Sequence, residues 1–166
     1  MSALARYFKA KGFDVAGYDR TSTLLTKELE AEGISIHYND DVALIPELYK
    51  DPQNTMVVYT PAVPADMSEL VWFREHKFNV CKRSQALGEV TRMQQAICVS
   101  GTHGKTTTST MIAHLLHNSS VKCNAFLGGI SKNFGRNLLL SNESDLVVIE
   151  ADEYDRSFLR LYPDVA

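Results

Sequence analysis

The sequence lacks several features that would associate it with a membrane or with nucleic acid. None of its apolar runs approaches the ~20 residues that a helix needs to cross a bilayer. Its first residues, MSALARYFKAKGF, lack the apolar core typical of a signal peptide. The formal net charge of -3 and the pI near 5.9 give no positive excess that would attract nucleic acid. We therefore expect no membrane partner and no nucleic-acid partner.

Cysteine is scarce, and neither repeats nor low-complexity segments occur in the 166 residues. Cys81, Cys98 and Cys123 are odd in number and far apart, which fits neither a disulfide framework nor a zinc site. We expect each to be a small buried hydrophobic residue in a reducing cytoplasm. Hydrophobic residues make up 45% of the chain and charged residues 22%, which is ordinary for a globular protein.

What the sequence does contain is a regular alternation of short apolar strands and helical segments. Helical patterns cover 2–11 and 84–95, and a further short helix is predicted around 41–50. Thr21 or Ser22 is the predicted cap of a helix that runs to about Glu32. The stretch NTMVVYT is a continuous apolar run, typical of a strand that is buried on both faces. The repetition predicts an α/β fold with parallel sheets.

The densest motif is VSGTHGKTTTST, between a predicted strand and a predicted helix. A glycine-rich turn at a helix N-terminus offers N–H groups to a phosphate chain, and a following lysine reaches the β- and γ-phosphates. The usual pattern places glycine five positions before the Gly-Lys pair, where this chain has Val99, so the motif is a shorter variant. A purely structural turn is the alternative. We predict that ATP binds at Gly101, Thr102, His103, Gly104, Lys105, Thr106 and Thr107.

An acidic residue is needed to complete a magnesium site beside such a loop. Glu150 ends the apolar run DLVVIE, and parallel strands place their carboxyl ends at one edge of a sheet. We predict that Thr106 and Glu150 bind Mg²⁺ and that Lys105 and Glu150 are the catalytic residues. Asp152, Glu153 and Asp155 follow; they favour metal or substrate binding over a merely solvated loop.

The motifs GTHGKTTT, FLGGI and VVIEADEYDRSFLRLYPD resemble those of the Mur ligases, and the resemblance extends over essentially the whole chain. It implies a Rossmann-like UDP-sugar-binding domain over 1–94 that lacks its first strand. The first part of a P-loop ATP-binding domain with a parallel sheet would follow over 95–166. It further implies a longer parent enzyme of peptidoglycan synthesis. That enzyme uses ATP to activate the lactyl carboxylate of UDP-N-acetylmuramate as an acyl phosphate, which an amine then attacks.

The resemblance also implies roles for residues that the motifs alone describe only as turns or strand ends. Asp19, Thr60, Pro61 and Ala62 would approach the UDP moiety. Gly128 and Gly129 would line the muramyl site.

Several alternatives stay open at the level of sequence. The segment DRSFLRL favours the family member that adds L-alanine over a recycling ligase that attaches a tripeptide to the same nucleotide sugar. An unrelated P-loop kinase or GTPase is disfavoured by the missing glycine, and a non-catalytic nucleotide-binding fragment is a further alternative. We expect the chain alone to be inactive and to self-associate through the sheet edge that the missing strand leaves.

Overall fold

The computed structural model describes residues 1–151 and 158–166. They divide into two compact units, Met1–Arg83 and Ser84–Ala166. The division falls earlier than the predicted domain boundary at 94/95, so nearly all of the helix before the first strand of the second unit groups with that unit. The assignment of a UDP-sugar domain and an ATP domain to the two parts stays a prediction.

The first unit is built from short parallel strands joined by helices. In chain order the elements are α1 (Ser2–Ala10), β1 (Ala16–Tyr18), α2 (Leu24–Ala31), β2 (Ser35–His37), β3 (Met56–Tyr59), α3 (Ser68–Glu75) and β4 (Asn79–Lys82). Strands β1 and β2 pair with Gly17 opposite Ile36, and β3 and β4 pair with Val58 opposite Cys81. The four strands therefore form two separate two-stranded parallel sheets.

Side chains close the N-termini of two helices in this unit. Helix α2 begins with a capping box, in which the Thr23 hydroxyl accepts from the Thr26 N–H at 3.2 Å and the Thr26 hydroxyl accepts from the Thr23 N–H at 2.8 Å. The prediction of Thr21 or Ser22 as the cap was wrong. Helix α3 is capped from a distance, because the Asp40 carboxylate accepts from the N–H groups of Ser68 and Glu69 at 2.8 and 3.0 Å.

Two further expectations for this unit were wrong. Residues 41–50 form two 3-10 turns, Val42–Leu44 and Glu47–Tyr49, instead of one helix. Pro46 lies between the turns, and its missing N–H and ring sterics interrupt helix formation. Strand β3 is half-buried and not buried on both faces, because its sheet has two strands.

The elements of the second unit are α4 (Arg83–Met93), β5 (Gln95–Val99), α5 (Lys105–His117), β6 (Asn124–Phe126), β7 (Leu138–Leu139) and β8 (Leu146–Glu150). The described strands of this unit form a four-stranded sheet in the order β5-β8-β6-β7. The central strand β8 pairs in parallel with both β5 and β6, and its residues Val147, Val148 and Ile149 are fully buried. These pairings confirm the α/β class with parallel strands.

Strand β7 runs antiparallel to β6, which the sequence did not predict. It is two residues long, too short to show any periodicity. The core between α5 and the sheet is small-residue-rich, with Ala113 of α5 packed in one cluster with Cys123, Ala125 and Val148.

The prediction that each cysteine is buried is confirmed, and none of the three forms a disulfide. Burial raises the pKa of Cys98 and of Cys123 to about 11, with the charge of Asp164 adding to the effect at Cys98.

None of the described helices combines the length and the apolar character that crossing a membrane requires.

Candidate functional site

The loop between β5 and α5 has the backbone that its two glycines predict. Gly101 has φ +140° and Gly104 has φ +79°, a region that side-chain-bearing residues rarely adopt. Gly104 is the N-cap of α5 and carries no side chain that could accept from the first N–H groups of the helix. The N-cap residue therefore leaves the positive dipole end of α5 open, unlike Thr23 at the start of α2.

The lysine of the motif lies against this loop. Lys105 is the first residue of α5, and its ammonium donates to the carbonyl of Gly101 at 2.6 Å. This contact spans the loop from its last residue to its first glycine. It holds a positive charge beside the open helix end.

The structure brings together the two residues that the sequence predicts as magnesium ligands. Val99 of β5 lies opposite Glu150 of β8, so both strands reach the same edge of the sheet. The Thr106 hydroxyl, in the first turn of α5, donates to Oε1 of Glu150 at 3.0 Å. Binding of a metal by this pair stays a prediction.

A third residue touches the same carboxylate. The backbone N–H of Gly128, two residues beyond β6, donates to Oε2 of Glu150 at 2.9 Å. A Cβ at position 128 would overlap the Glu150 carboxylate, so the approach requires a glycine. The sequence analysis identified Gly128 as a turn or sugar-site residue and missed this contact, because nothing in the spacing of 22 residues indicates it.

The other predicted residues of the loop surround this centre. Thr102, His103 and Thr107 are exposed, and Gly129 is half-buried near the methyl group of Thr106. The predicted acids Asp152, Glu153 and Asp155 lie outside the described residues. Within 1–151 and 158–166, no group of three or more His, Cys, Asp and Glu side chains is placed to hold a metal.

The residues predicted to meet the UDP moiety lie at the carboxyl ends of β1 and β3 in the first unit. The Asp19 carboxylate accepts from the N–H of Thr21 at 3.1 Å. The carbonyl of Thr60 accepts from the N–H of Val63 at 3.0 Å, in a turn that contains Pro61 and Ala62. Both contacts are local turn contacts, so ligand binding by these four residues stays a prediction.

A contact between a histidine and a buried glutamate in the same unit was not predicted from sequence. Nε2 of His37, the last residue of β2, lies 2.6 Å from Oε1 of Glu69, which is almost fully buried. The same carboxylate accepts from the N–H of Asp41 at 3.3 Å. The two residues are 32 positions apart, and no motif signalled the pair.

The known proteins that are similar to this chain are all named as ligases. A family model described as "Mur ligase family, catalytic domain" matches residues 1–95. A UDP-N-acetylmuramate–L-alanine ligase of Porphyromonas gingivalis strain W83 is 60% identical over all 166 residues. The chain spans 36% of that relative, about a third of its length.

Two solved structures are also similar over nearly the whole chain. One is a UDP-N-acetylmuramate:L-alanyl-γ-D-glutamyl-meso-diaminopimelate ligase from Neisseria, with a TM-score of 0.85 and 29% identity, covering 100% of this chain and 55% of that one. The other is a UDP-N-acetylmuramate–alanine ligase from Thermotoga maritima, with a TM-score of 0.82 and 29% identity, covering 99% of this chain and 37% of that one. Since the family model covers more than half of the residues, the chain belongs to the Mur ligase family.

Proposed function

We propose that this chain is the nucleotide-binding part of an ATP-dependent ligase that joins L-alanine to UDP-N-acetylmuramate in cytoplasmic peptidoglycan synthesis. The observation that carries the proposal is the contact between Thr106 and Glu150 beside the open N-terminus of α5. The 60% identity to a named L-alanine ligase supports the choice of substrates. The three buried cysteines, none of which forms a disulfide, agree with a reducing compartment.

The chemistry of the donor set suits Mg²⁺. A hydroxyl oxygen and a carboxylate oxygen are the hard ligands that Mg²⁺ prefers, and it usually takes one or two protein ligands together with phosphate oxygens and water. Thr106 and Glu150 would supply these two ligands. When bound, Mg²⁺ would offset the negative charge of the phosphates.

The loop residues fit a triphosphate for a different reason. A helix N-terminus without a side-chain cap leaves backbone N–H donors that phosphate oxygens can accept from. Gly101 and Gly104 let the backbone approach the phosphates closely, and Lys105 would exchange its contact with the Gly101 carbonyl for the β- and γ-phosphates. In the phosphoryl transfer to the lactyl carboxylate, the ammonium would offset the charge that develops on the transferred group.

The first unit is the proposed site of the UDP moiety. In open α/β sheets, ligands bind beyond the carboxyl ends of the strands, where Asp19 and the Thr60–Ala62 turn are located. Gly129 would line the muramyl site, as would the exposed face of Gly128.

The recycling ligase that attaches a tripeptide is the second candidate function. The solved ligase from Neisseria carries the tripeptide in its name and is as identical to this chain, at 29%, as the alanine ligase from Thermotoga. The fold therefore does not separate the two activities. The 60% identity to an alanine ligase favours the first candidate.

Titration of the chain with a non-hydrolysable ATP analogue and Mg²⁺ tests the phosphate site. We expect Lys105→Ala to weaken binding by about tenfold or more, because a charged hydrogen bond contributes ~1.5–3 kcal/mol. Lys132→Ala removes an exposed lysine of the same unit and should leave the affinity unchanged. Equal affinity of the Lys105 variant and the wild type would contradict the proposal.

The ligase activity needs a second experiment, because the chain spans about a third of its relatives. We expect a chimera, in which these 166 residues replace the matching segment of the 60% identical relative, to release phosphate in an L-alanine-dependent manner. Loss of that activity in a well-folded chimera, with the unmodified relative active, would count against the function proposed for this segment.

A further inference from the structure

The Glu150 carboxylate is held on both of its oxygens. Oε1 accepts from the Thr106 hydroxyl at 3.0 Å, and Oε2 accepts from the Gly128 N–H at 2.9 Å. The two donors come from different elements, the first turn of α5 and the segment after β6. The side chain of Thr106 and the backbone of Gly128 therefore fix both the plane and the rotamer of the Glu150 carboxylate.

The requirement for glycine is specific to one of two adjacent positions. A Cβ at Gly128 would overlap all three atoms of the Glu150 carboxyl group, whereas a Cβ at Gly129 would lie 3.9 Å from Cγ2 of Thr106, an ordinary van der Waals contact. Neither glycine has the positive φ that would by itself exclude alanine. The clash at 128 is thus with the end of a flexible side chain, and the backbone could accept alanine if Glu150 moved.

We infer that Gly128 is a positioning residue, whose N–H orients the Glu150 carboxylate and whose missing side chain leaves room for it, so that Glu150 and Thr106 present their oxygens together. The inference rests on the proposed function of Thr106 and Glu150 as a metal site. It assigns Gly128 to that site, in addition to the turn or sugar contact expected from sequence. Residues that orient a metal ligand in this way typically contribute 10–100-fold to metal affinity.

A backbone donor suits the positioning of this carboxylate. A backbone N–H next to β6 is fixed by the sheet, because Asn124–Phe126 pairs with the buried strand that ends at Glu150. A side-chain donor would lose rotamer entropy each time it bound the carboxylate, and that loss costs free energy. The charge-assisted bond from a fixed N–H costs no such ordering.

Mn²⁺ binding, followed by electron paramagnetic resonance as a substitute for Mg²⁺ binding, is the first test. We expect Gly128→Ala to lower Mn²⁺ affinity by about 10-fold or more, and Gly129→Ala to change it less than about threefold. Both variants should unfold at closely similar urea concentrations, since the clash at 128 is relieved by moving a side chain. Equal Mn²⁺ affinity of the two variants, or unfolding of the Gly128 variant at clearly lower urea, would overturn the positioning role.

A second measurement needs no metal and separates this inference from the function on which it rests. In the metal-free protein, the Gly128 amide proton should move upfield in Glu150→Ala, and the Gly129 amide should move less, because the first has lost a carboxylate acceptor. An unmoved Gly128 amide would overturn the inference. If the wild type binds no Mn²⁺, the proposed metal site fails, and the amide shift alone then decides whether Gly128 positions Glu150.

Discussion

The two units form their parallel sheets in different ways. In the second unit, β8 has a strand on either side and three residues with no exposed surface, Val147, Val148 and Ile149. In the first unit each sheet has two strands, and β1 and β3 have no fully buried residue. Two-stranded sheets are marginally stable without further packing, so the first unit depends more on contacts outside its sheets.

Those outside contacts include polar ones that reach helix α3. Asp40 caps α3 from the loop after β2, and His37 pairs with Glu69 of the same helix. In the second unit the comparable polar contacts converge on Glu150, at the end of a strand that the core holds in place. The candidate metal site thus lies at the end of the fully buried central strand of the larger sheet, which suits a site that must hold ligands in fixed geometry.

The largest effect on stability should come from replacing one valine by alanine in the sheet of the second unit and, for comparison, one valine in a sheet of the first. Val148→Ala removes two methyl groups from the fully buried centre of β8 and should lower the free energy of unfolding by about 2–3 kcal/mol, whereas Val58→Ala in half-buried β3 should cost about 1 kcal/mol. Urea unfolding followed by circular dichroism reports both units, and fluorescence of Trp72, the single tryptophan, reports the first. Equal shifts of one common transition would refute the contrast.

A glycine pair gives the next largest effect. Gly88 of α4 packs against the carbonyl of Arg160, which a Cβ would overlap, and the neighbouring Thr91 hydroxyl accepts from the N–H of Tyr162 at 3.0 Å. Gly88→Ala should therefore destabilise by about 1–3 kcal/mol through overpacking, although alanine favours a helix. Unlike the clash at Gly128, this clash is with backbone, which cannot rotate away.

Gly17→Ala in β1 is the matched control, because a Cβ there meets nothing within 4 Å. We expect its free energy of unfolding to stay level or to rise by about 0.4–1 kcal/mol, since alanine restricts the unfolded chain. Urea unfolding measures both variants. A Gly88 variant as stable as the wild type would mean that the segment around Arg160 does not contribute to the stability of the second unit.

Chemical modification of the cysteines compares the local stability of the two units without any substitution. Cys81 lies in β4 of a two-stranded sheet in the first unit, whereas Cys98 lies in β5 and Cys123 directly before β6 of the four-stranded sheet in the second. We expect a disulfide reagent at pH 8 to modify Cys81 about tenfold faster, a difference of ~1.4 kcal/mol in opening free energy. Peptide mapping by mass spectrometry gives the order, and earlier modification of Cys123 would reverse the comparison.

Much of this fold could be predicted from local sequence signals, and the misses are physical. The long apolar run into Glu150 and the helix after Lys105 were both found, because their patterns extend over several turns or a buried strand. Pro46 divided a predicted helix into two turns. The cap is Thr23 because Thr26, three residues later, completes a capping box, a local signal that the leucines three residues after Thr21 and Ser22 cannot supply. The two-residue β7 carries too little pattern to be seen.

The candidate site was predictable where adjacent parallel strands determine proximity. Thr106 and Glu150 are 44 positions apart, yet the sheet rule placed them together. The partner of Gly128 was not predictable, because which N–H points at Glu150 depends on the register of β6 against β8 and on the turn that follows. The His37–Glu69 pair needs the position of α3, which no local signal gives.

The smallest effect should be the pH dependence of the first unit through Asp40. Burial pushes the pKa of this carboxyl up, but the hydrogen bonds from the Ser68 and Glu69 N–H groups and the nearby His37 outweigh it, so the pKa is below 3.8. A carboxyl whose pKa is lower in the folded state stabilises above its unfolded pKa. That contribution is lost as the pH falls from about 4 through the folded value.

We expect Asp40→Ala to lower the free energy of unfolding of the first unit by no more than about 1 kcal/mol at pH 7, since the capping carboxylate is exposed. The loss should shrink as the pH falls from about 4 through the folded pKa, because the wild-type carboxylate then becomes protonated. Trp72 lies in the capped helix, so its fluorescence during urea unfolding at pH 7, 5 and 3.5 measures the difference directly. Asp66→Asn, which removes an exposed carboxylate just before the same helix, should show neither the loss nor the pH trend. A loss that is the same at pH 7 and pH 3.5 would show that Asp40 acts by packing and not by charge. The first unit would then not be stabilised by a charged cap on α3, and this difference from the second unit would not hold.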